Sequence, residues 1–512
     1  MRKHPSITKG VLRKQIPLLL ILICLTLISC NFPIKDLAFT THPYSTLDPR
    51  IFESPGTTIP PFAQPTVFSP KAFQPTPSVD ETLYHVYASQ SGDTLRVVAS
   101  HYSVSPLDIT SSLPIPSTGI IPPGQYLVIP KTIANQEVRE IVLPDSAVID
   151  SPCAQDFDIT SFVESAGGYL SSFSQLVAED RISGAEVVQR VADNQSVNPR
   201  LLLAFIEYRS SLVYGRAEPA DIYHPLRMDN EYFKGLYQEL SLAARKINTG
   251  YYAWRNGEIT EVTFTDQQSA RIAPNLNAGS VGILYHFAQL YPSTEWEDRL
   301  SGADGFVSLY LSMFGDPMQC ATQVEPLLTD QVTAPQLELP FASGEEWDLT
   351  AGLHYDWVEG TPFGALDFAP NIKDAGCKVS PLRARASAPG VVTRSDNGIV
   401  MVTLEDDRQQ PTGWQVMYMH IAAQDRVPLG TRLAVNDPIG HPSCEGGSAT
   451  GTHVHITRKY KGEWISGNGA FPFVLSGWTA VPGDKVYTGT LIKGDQVVTA
   501  RQGGSDDSLI TR

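Results

Sequence analysis

The sequence has few basic residues and little charge of either sign. Its 512 residues include 38 Lys or Arg and 54 Asp or Glu, which gives a formal net charge of -16 and a charged share of 18%. A protein that binds nucleic acid needs a basic face that neutralises phosphates. The composition therefore argues against nucleic acid, or any other polyanion, as a partner.

The apolar run near the N-terminus is too short to cross a membrane, since a transmembrane helix needs about 20 apolar residues. It covers residues 17–28, follows a basic segment and precedes Ser29 and Cys30, an order typical of an export signal. The run Leu27-Ile28-Ser29-Cys30 resembles the lipobox of bacterial lipoproteins. That resemblance implies a signal peptide over residues 1–30, a lipid on Cys30 and attachment to the outer face of the cell membrane. A plain cleaved signal is the alternative.

Cysteine is scarce, with six residues in the whole chain. Cys24 lies in the signal and Cys30 would carry lipid, which leaves four cysteines for the folded part. Outside the cytoplasm these would pair as disulfides. We expect two bridges within domains, Cys153 with Cys320 and Cys377 with Cys444. Free thiols are the alternative.

The length predicts about three globular units, at about 100–200 residues per domain. Residues 31–80 are rich in Pro, Thr and Ser and show no sustained apolar period. This composition predicts an extended tether between the membrane and the folded part.

Residues 81–132 contain two short β-rich runs, Tyr84-His85-Val86-Tyr87 and Tyr126-Leu127-Val128-Ile129-Pro130, around a helical segment. Turn signals at Gly92-Asp93 and Pro123-Gly124 separate these pieces. The unit resembles a LysM domain over its whole length. That resemblance implies a β-α-β fold and binding to glycans that contain N-acetylglucosamine. The sequence departs from the family at Leu113-Pro114-Ile115-Pro116.

Residues 150–322 are predicted to be mainly helical, and the run 201–206 is too apolar for a surface helix. Residues 196–210 resemble the helix that carries the catalytic acid in lytic transglycosylases of the lysozyme-like class, where a glutamate directly precedes a serine. Here Arg209 has that place, and Glu207 lies about 200° around the helix from it. We therefore expect a lysozyme-like domain that does not cleave glycan, with Glu207 as a solvated or capped carboxylate.

A second linker is predicted over residues 323–340, which include Pro326, Pro335 and Pro340. In the next region, residues 390–393 and 399–404 flank the hairpin signal Ser395-Asp396-Asn397-Gly398. We expect an antiparallel β-sheet domain over residues 341–480 and a C-terminal extension over residues 481–512. The predicted fold class is multidomain α+β: a small LysM β-α-β unit, a mainly helical middle domain and an antiparallel β-sheet domain.

The histidines are concentrated in this last domain, which holds five of the eleven between His354 and His455. His453 and His455 are two residues apart, so on a strand both side chains point to one face. His420 ends a predicted strand over residues 414–420. The period of two places four of that strand's side chains on one face: Trp414, Val416, Tyr418 and His420.

His354, Asp367 and the run Gly451-Thr452-His453-Val454-His455 together resemble the zinc peptidases of the lysostaphin and β-lytic type, which hydrolyse peptides of peptidoglycan. The long spacing from His354 to Asp367 resembles the β-lytic and staphylolysin subgroup, where an insert separates these ligands. The resemblance implies that His354, Asp367 and His455 bind Zn2+. His420 and His453 would serve as proton acceptor and oxyanion stabiliser, in an order that the sequence leaves open. Three protein ligands leave one position free, as in catalytic zinc sites.

Two further residues compete for a place in the site. Asp356 is the rival carboxylate, but the apolar frame Leu366-Asp367-Phe368 favours Asp367. His441 is expected to be structural, or to contact a metal ligand without binding the metal itself.

The expected function is that of a lipid-anchored cell-wall endopeptidase whose partner is peptidoglycan, both its peptide cross-links and its glycan. The alternative is a non-enzymatic scaffold or activator with a vestigial zinc site. A third hypothesis, a combined peptidase and glycosidase, needs Glu207 or another carboxylate as the acid. Every expected ligand and catalytic position is filled, which favours the enzyme.

Overall fold

The computed structural model describes residues 74–132, 139–228, 232–372 and 376–512. The predicted signal peptide, Cys30 and most of the predicted tether lie outside the described residues. In the described part of the chain, no helix combines the length and the apolar character that a membrane crossing requires.

The N-terminal unit is a two-stranded antiparallel sheet with a helix packed on it. Strand β1 covers Tyr84–Ala88, helix α1 Leu95–Tyr102 and strand β2 Tyr126–Pro130, with a short 3-10 turn at Pro106–Asp108. Helix α1 begins where the Thr94 side chain accepts a hydrogen bond from the Val97 amide. The β-α-β order agrees with the sequence prediction.

Residues 139–328 form a mainly helical region. Its helices are α2 Asp145–Val148, α3 Ile159–Ala166, α4 Tyr169–Ser172, α5 Gly184–Gln195, α6 Pro199–Ser210, α7 Leu236–Arg255, α8 Ala278–Ala288, α9 Trp296–Ser301, α10 Phe306–Phe314 and α11 Met318–Val324. A 3-10 turn covers Pro219–Ile222, and two short hairpins are β3 Ser174–Val177 with β4 Asp180–Ser183 and β5 Glu261–Thr263 with β6 Ser269–Arg271. The disulfide between Cys153 and Cys320 joins the two ends of this region, as expected.

Helix α6 is the buried centre of the helical region. Its residues 201–206 are at most 1% exposed, because the run is apolar on every side. Glu207 is also buried, and its carboxylate accepts hydrogen bonds from the amides of Val213 and Tyr214 at 2.9 and 3.1 Å. It is therefore a capped carboxylate rather than a solvated one.

The C-terminal region is built on a nine-stranded sheet whose strand pairs are antiparallel. The strands of this region are β7 Glu346–Tyr355, β8 Phe363–Pro370, β9 Ala384–Arg385, β10 Gly390–Asp396, β11 Ile399–Glu405, β12 Pro411–Met419, β13 Arg432–Leu433, β14 Pro438–Gly440, β15 Val454–Tyr460, β16 Glu463–Trp464, β17 Val474–Leu475, β18 Trp478–Pro482, β19 Gly489–Lys493, β20 Gln496–Thr499 and β21 Leu509–Thr511. The order of strands in the large sheet is β13-β10-β11-β12-β15-β8-β7-β21, with β16 also paired to β15.

Residues 481–512, predicted as an extension, are part of the sheet domain. Strand β21 pairs with β7 and places Ile510 opposite Trp347. The Gly352 amide of β7 also donates a hydrogen bond to the Tyr487 carbonyl, 2.9 Å away. The predicted division at residue 480 is corrected for this reason: the last residues pair with a strand that carries the functional site.

The two faces of the large sheet pack against different cores. Along β11, Val400 and Val402 join the core of the C-terminal region, while Ile399 and Met401 join the core of the helical region. Strand alternation explains this division, because successive side chains point to opposite faces. The helical region therefore covers much of one sheet face.

Arg255, the last residue of α7, joins all three regions. Its guanidinium lies 2.8 Å from Asp145 Oδ2 of the helical region and 2.7 Å from Glu463 Oε1 of β16. It also donates a hydrogen bond to the Ser91 carbonyl of the N-terminal unit. Both carboxylates are almost fully buried, so this cation offsets two buried negative charges.

We expect Arg255→Met to destabilise the protein by about 3–5 kcal/mol, because it leaves two buried carboxylates without their cation. Guanidinium unfolding monitored by tryptophan fluorescence measures this change. The matched control is Arg501→Met, whose exposed pair with Asp507 should leave the unfolding midpoint almost unchanged. Equal unfolding midpoints for the two variants would contradict the proposed stabilising effect of Arg255.

Candidate metal centre

Three side chains from three adjacent strands converge at one end of the large sheet. The register of β15 on β8 places His455 opposite Asp367, and His354 lies on β7 beside β8. His354 Nε2 lies 3.1 Å from His455 Nδ1 and 3.3 Å from Asp367 Oδ1. His455 Nδ1 lies 3.1 Å from Asp367 Oδ1. The structure thus brings together the three residues that the sequence predicted as ligands.

Main-chain carbonyls fix which nitrogen of each imidazole faces this centre. His354 Nδ1 lies 2.8 Å from the Gly352 carbonyl oxygen, and His455 Nε2 lies 2.9 Å from that of Asp356. A carbonyl only accepts hydrogen bonds, so these two nitrogens carry the protons. The opposite nitrogens then present lone pairs toward Asp367. Three acceptor atoms this close repel one another unless a proton or a cation lies between them.

The donor set fits zinc. Zinc binds imidazole nitrogen and carboxylate oxygen at about 2.0–2.2 Å in tetrahedral geometry, which puts its ligand atoms about 3.3–3.5 Å apart. The observed separations of 3.1 to 3.3 Å are close to that range. Among the described residues, His354, Asp367 and His455 are the group able to hold a metal ion. Three protein ligands leave a fourth position for water or substrate, which is typical of catalytic zinc.

The charged groups of the centre shift one another's pKa values. Burial raises the pKa of the Asp367 carboxyl, but the charge of His354 and its hydrogen bond, together with the neighbouring imidazoles of His455 and His453, outweigh burial and hold this pKa well below its usual range. Burial lowers the pKa of His354, but the Asp367 charge outweighs it, and the pKa of His354 is raised. Burial lowers the pKa of His455. The charge of Asp367 therefore favours the protonated form of His354.

His453 and His420 lie beside the three ligands. His453 Nε2 is 3.6 Å from Asp367 Oδ2, and its ring is 4.4 Å from that of His420, centroid to centroid. Each directs Nδ1 at a carbonyl, His453 at Gly451 (2.8 Å) and His420 at Glu445 (2.9 Å). Both Nε2 atoms are therefore free to accept a proton. Burial, then the neighbouring His453 and His455, lowers the pKa of His420 to about 3, so its ring is neutral.

The structure corrects the predicted orientation of His420. Trp414, Val416 and Tyr418 do share a face and pack in the core of the C-terminal region. Strand β12 ends at Met419, however, and His420 has a left-handed backbone with φ of 67°. The strand period therefore stops before His420, whose ring instead joins His453 near the metal ligands.

The two rival residues have supporting roles. Asp356 is fully buried, and its carboxylate accepts a hydrogen bond from Thr457 while its carbonyl holds His455. His441 directs Nδ1 at the carbonyls of Ser380 and Leu382, at 2.8 and 3.1 Å. Asp356 thus supports a ligand, and His441 is structural.

The disulfide between Cys377 and Cys444 ties together the segments that place His420 and His453. Glu445, next to Cys444, supplies the carbonyl that holds His420. Gly376, next to Cys377, accepts hydrogen bonds from the amide and the hydroxyl of Thr452, both at 2.8 Å. Each half of the disulfide is therefore adjacent to a residue that positions one of the two histidines.

Tyr487 is a residue of the site that the sequence analysis missed. Its ring centroid is 4.8 Å from that of His354, and the side chain is 56% exposed. Burial, then the charge of Asp367, raises the pKa of its phenol, so the hydroxyl keeps its proton as a donor. No motif around Tyr487 indicates this position, which depends on the contact of its loop with β7.

A family model with the description "LasA, N-terminal domain" matches residues 141–328. The match covers the helical region, in which the resemblance of residues 196–210 to lytic transglycosylases stays a prediction. Protease LasA from Pseudomonas aeruginosa is 25% identical over 319 residues, which cover 59% of this chain and 72% of that protein. The Protease LasA of a second strain is 24% identical over 323 residues, with the same coverage of 59% and 72%.

Two solved structures are similar to the C-terminal part. The deep-sea M23 metalloprotease pseudoalterin is 22% identical, with a TM-score of 0.28, and the match covers 33% of this chain and 96% of that one. The catalytic domain of lysostaphin from Staphylococcus simulans is 17% identical, with a TM-score of 0.18, and the match covers 25% of this chain and 89% of that one.

We expect the purified protein to bind one zinc ion per chain and Asp367→Ala to lose it. The variant removes the negative donor and leaves two neutral imidazoles. Elemental analysis after dialysis measures the bound metal. His441→Gln is the control, and the same zinc loss in this variant would contradict the assignment of the site.

The stability of the metal-free protein should depend on pH. The raised pKa of His354 means that its ion pair with Asp367 is fully present below the unfolded histidine value of about 6.5 and is lost as pH rises through the folded value. We therefore expect the melting temperature of chelator-treated protein to fall as pH rises from 6 to 9, more steeply than that of Asp367→Asn. Parallel curves for the two proteins would show that this pair adds no pH-dependent stability.

Proposed function

We propose that this protein, a zinc endopeptidase by its metal site and its similarity to Protease LasA, hydrolyses peptide cross-links of bacterial peptidoglycan. The observation that carries the proposal is the convergence of His354, Asp367 and His455 with two further histidines that direct free nitrogens to the same place. The resemblance of these motifs to lysostaphin-type peptidases supports the substrate class.

When bound, zinc would polarise the scissile carbonyl as a Lewis acid and bring the pKa of an attacking water to about 7. The side chains of His354, Asp367 and His455 would hold the ion. The carbonyls of Gly352 and Asp356 fix the rotation of the two imidazoles, so that the lone pairs face the ion without rearrangement.

His420 and His453 supply the proton transfers. One accepts the proton of the attacking water at Nε2, and that proton is then available to the leaving amine. The other takes up a proton from solvent at Nε2 before the reaction and donates a hydrogen bond from it to the carbonyl oxygen as that oxygen gains negative charge. Their Nδ1–H groups remain on the carbonyls of Glu445 and Gly451, so the rings keep their orientation while Nε2 changes protonation. The ring of Tyr487 lies beside His354 and the residue is exposed, so we assign to its hydroxyl a hydrogen bond to the bound peptide.

The remaining regions would bring the enzyme to its substrate. We assign glycan binding to the LysM-like unit and lipid attachment to Cys30, both from the sequence resemblances. The two disulfides support a location outside the cytoplasm. We assign no glycan cleavage to the helical region, because Glu207 is engaged in capping the loop after α6.

The test is digestion of purified peptidoglycan by the protein produced without residues 1–30. We expect new amino termini, detected by mass spectrometry, that disappear when a chelator is added and return with zinc. His420→Ala and His453→Ala should each lower kcat by about 100-fold or more while zinc stays bound, since general acid-base groups contribute about 10²–10⁴-fold.

Arg501→Ala is the control, because the exposed side chain of Arg501 forms its ion pair with Asp507, in the same loop between β20 and β21. Zinc-loaded protein that releases no amino termini from several wall types would favour the scaffold hypothesis. New sugar ends would show that the helical region cleaves glycan.

A further inference from the structure

The loop between the first two zinc ligands is bound to the helical region. This insert loop, residues 356–361, connects β7 to β8 and carries Trp357, whose side chain packs against the core of the helical region. Arg245 of α7 forms an ion pair with Glu359. Both side chains are partly exposed, at 34% and 66%, so the ion pair by itself is a weak contact.

The backbone of the insert loop also lies close to α7. Gly360 has φ of +105°, and a Cβ atom there would lie 2.6 Å from Thr249 Oγ1 and 2.9 Å from the Arg245 carbonyl oxygen of α7. A non-glycine residue is therefore excluded both by its backbone conformation and by the helix surface. The insert loop lies directly on α7 with no space for a side chain.

The insert loop is also internally rigid. The Thr361 hydroxyl accepts a hydrogen bond from the Trp357 amide (3.1 Å) and donates one to the Val358 carbonyl (2.8 Å). The Asp356 amide donates to the Pro362 carbonyl at 3.0 Å, which closes the base of the loop. A displacement at Gly360 would therefore be transmitted to Asp356.

Asp356 is the point of contact with the metal centre. Its carbonyl oxygen is 2.9 Å from His455 Nε2, and its carboxylate accepts a hydrogen bond from Thr457, two residues further along β15. A continuous series of contacts therefore leads from α7 through Gly360 and Asp356 to His455. Hydrogen-bond partners of metal-bound histidines typically change metal affinity by about 10–100-fold.

We propose that α7 of the helical region is a positioning element of the zinc site: through the insert loop it sets the orientation of His455. Gly360 and Arg245 are positioning residues, since neither touches the metal or the substrate. The inference rests on the zinc site of the proposed function and not on its substrate. It implies that the helical region and the zinc site work as one unit.

The test uses the full chain without residues 1–30 and two readouts taken in the absence of substrate. Competition with a chromophoric chelator gives the zinc dissociation constant, and the visible absorption of the cobalt(II)-substituted protein reports the geometry of the site. We expect Gly360→Ala to weaken zinc binding by about 10-fold and to shift the cobalt bands. Gly430→Ala is the matched control, because Gly430 also has positive φ, +79°, but its Cβ would meet nothing within 4 Å.

A second pair of variants covers the case in which Gly360→Ala does not fold. We expect Arg245→Glu to weaken zinc binding by a few-fold and the double variant Arg245→Glu/Glu359→Arg to restore it. Wild-type affinity and unchanged cobalt bands in Gly360→Ala, or no restoration in the double variant, would overturn the inference. Higher peptidase activity in Gly360→Ala would also overturn it, since the helical region would then restrain the site. A wild-type protein that binds zinc but cuts no peptidoglycan would count against the proposed substrate alone.

Discussion

The carboxylate of Asp367 is the group on which the site depends. One of its oxygens lies 3.3 and 3.1 Å from ring nitrogens of His354 and His455, and the other lies 3.6 Å from His453. A buried negative charge in this position is costly unless cations or donors surround it. The register of β8 against β15, which places Asp367 opposite His455, therefore sets both the stability of this end of the sheet and the position of the metal.

The histidines around Asp367 share one hydrogen-bonding pattern. Each directs one ring nitrogen at a main-chain carbonyl, which leaves the other nitrogen with a lone pair for the metal or for a proton. Because the carbonyls belong to a strand, a loop or a segment next to a disulfide, the tautomers are set by backbone geometry. The chemistry of the centre is thus built into the fold, and the ion enters an arrangement of donors that already faces it.

The helical region makes several contacts with the C-terminal region. It covers the sheet face opposite the core of the C-terminal region, shares Arg255 and its carboxylates with β16, and contacts the loop between His354 and Asp367. The N-terminal unit contacts the same junction through Ser91, and the His101 ring stacks on Trp254 of α7 at 3.5 Å between centroids. All three regions therefore meet at the C-terminal end of α7.

The sequence by itself predicted an α+β fold class and two disulfides within domains, and its resemblance to a known peptidase family implied the ligand set. Strand alternation added that His453 and His455 share a face, because successive side chains of a strand point to opposite faces. Only the tertiary structure decided the orientation of His420, the place of Tyr487, the supporting role of Asp356 and the inclusion of residues 481–512 in the sheet. Each of these depends on a contact between segments far apart in sequence or on a single left-handed residue that ends a strand. Local periodicity contains no information about these long-range contacts or about where a strand ends, because both are settled only when the strands and helices have packed.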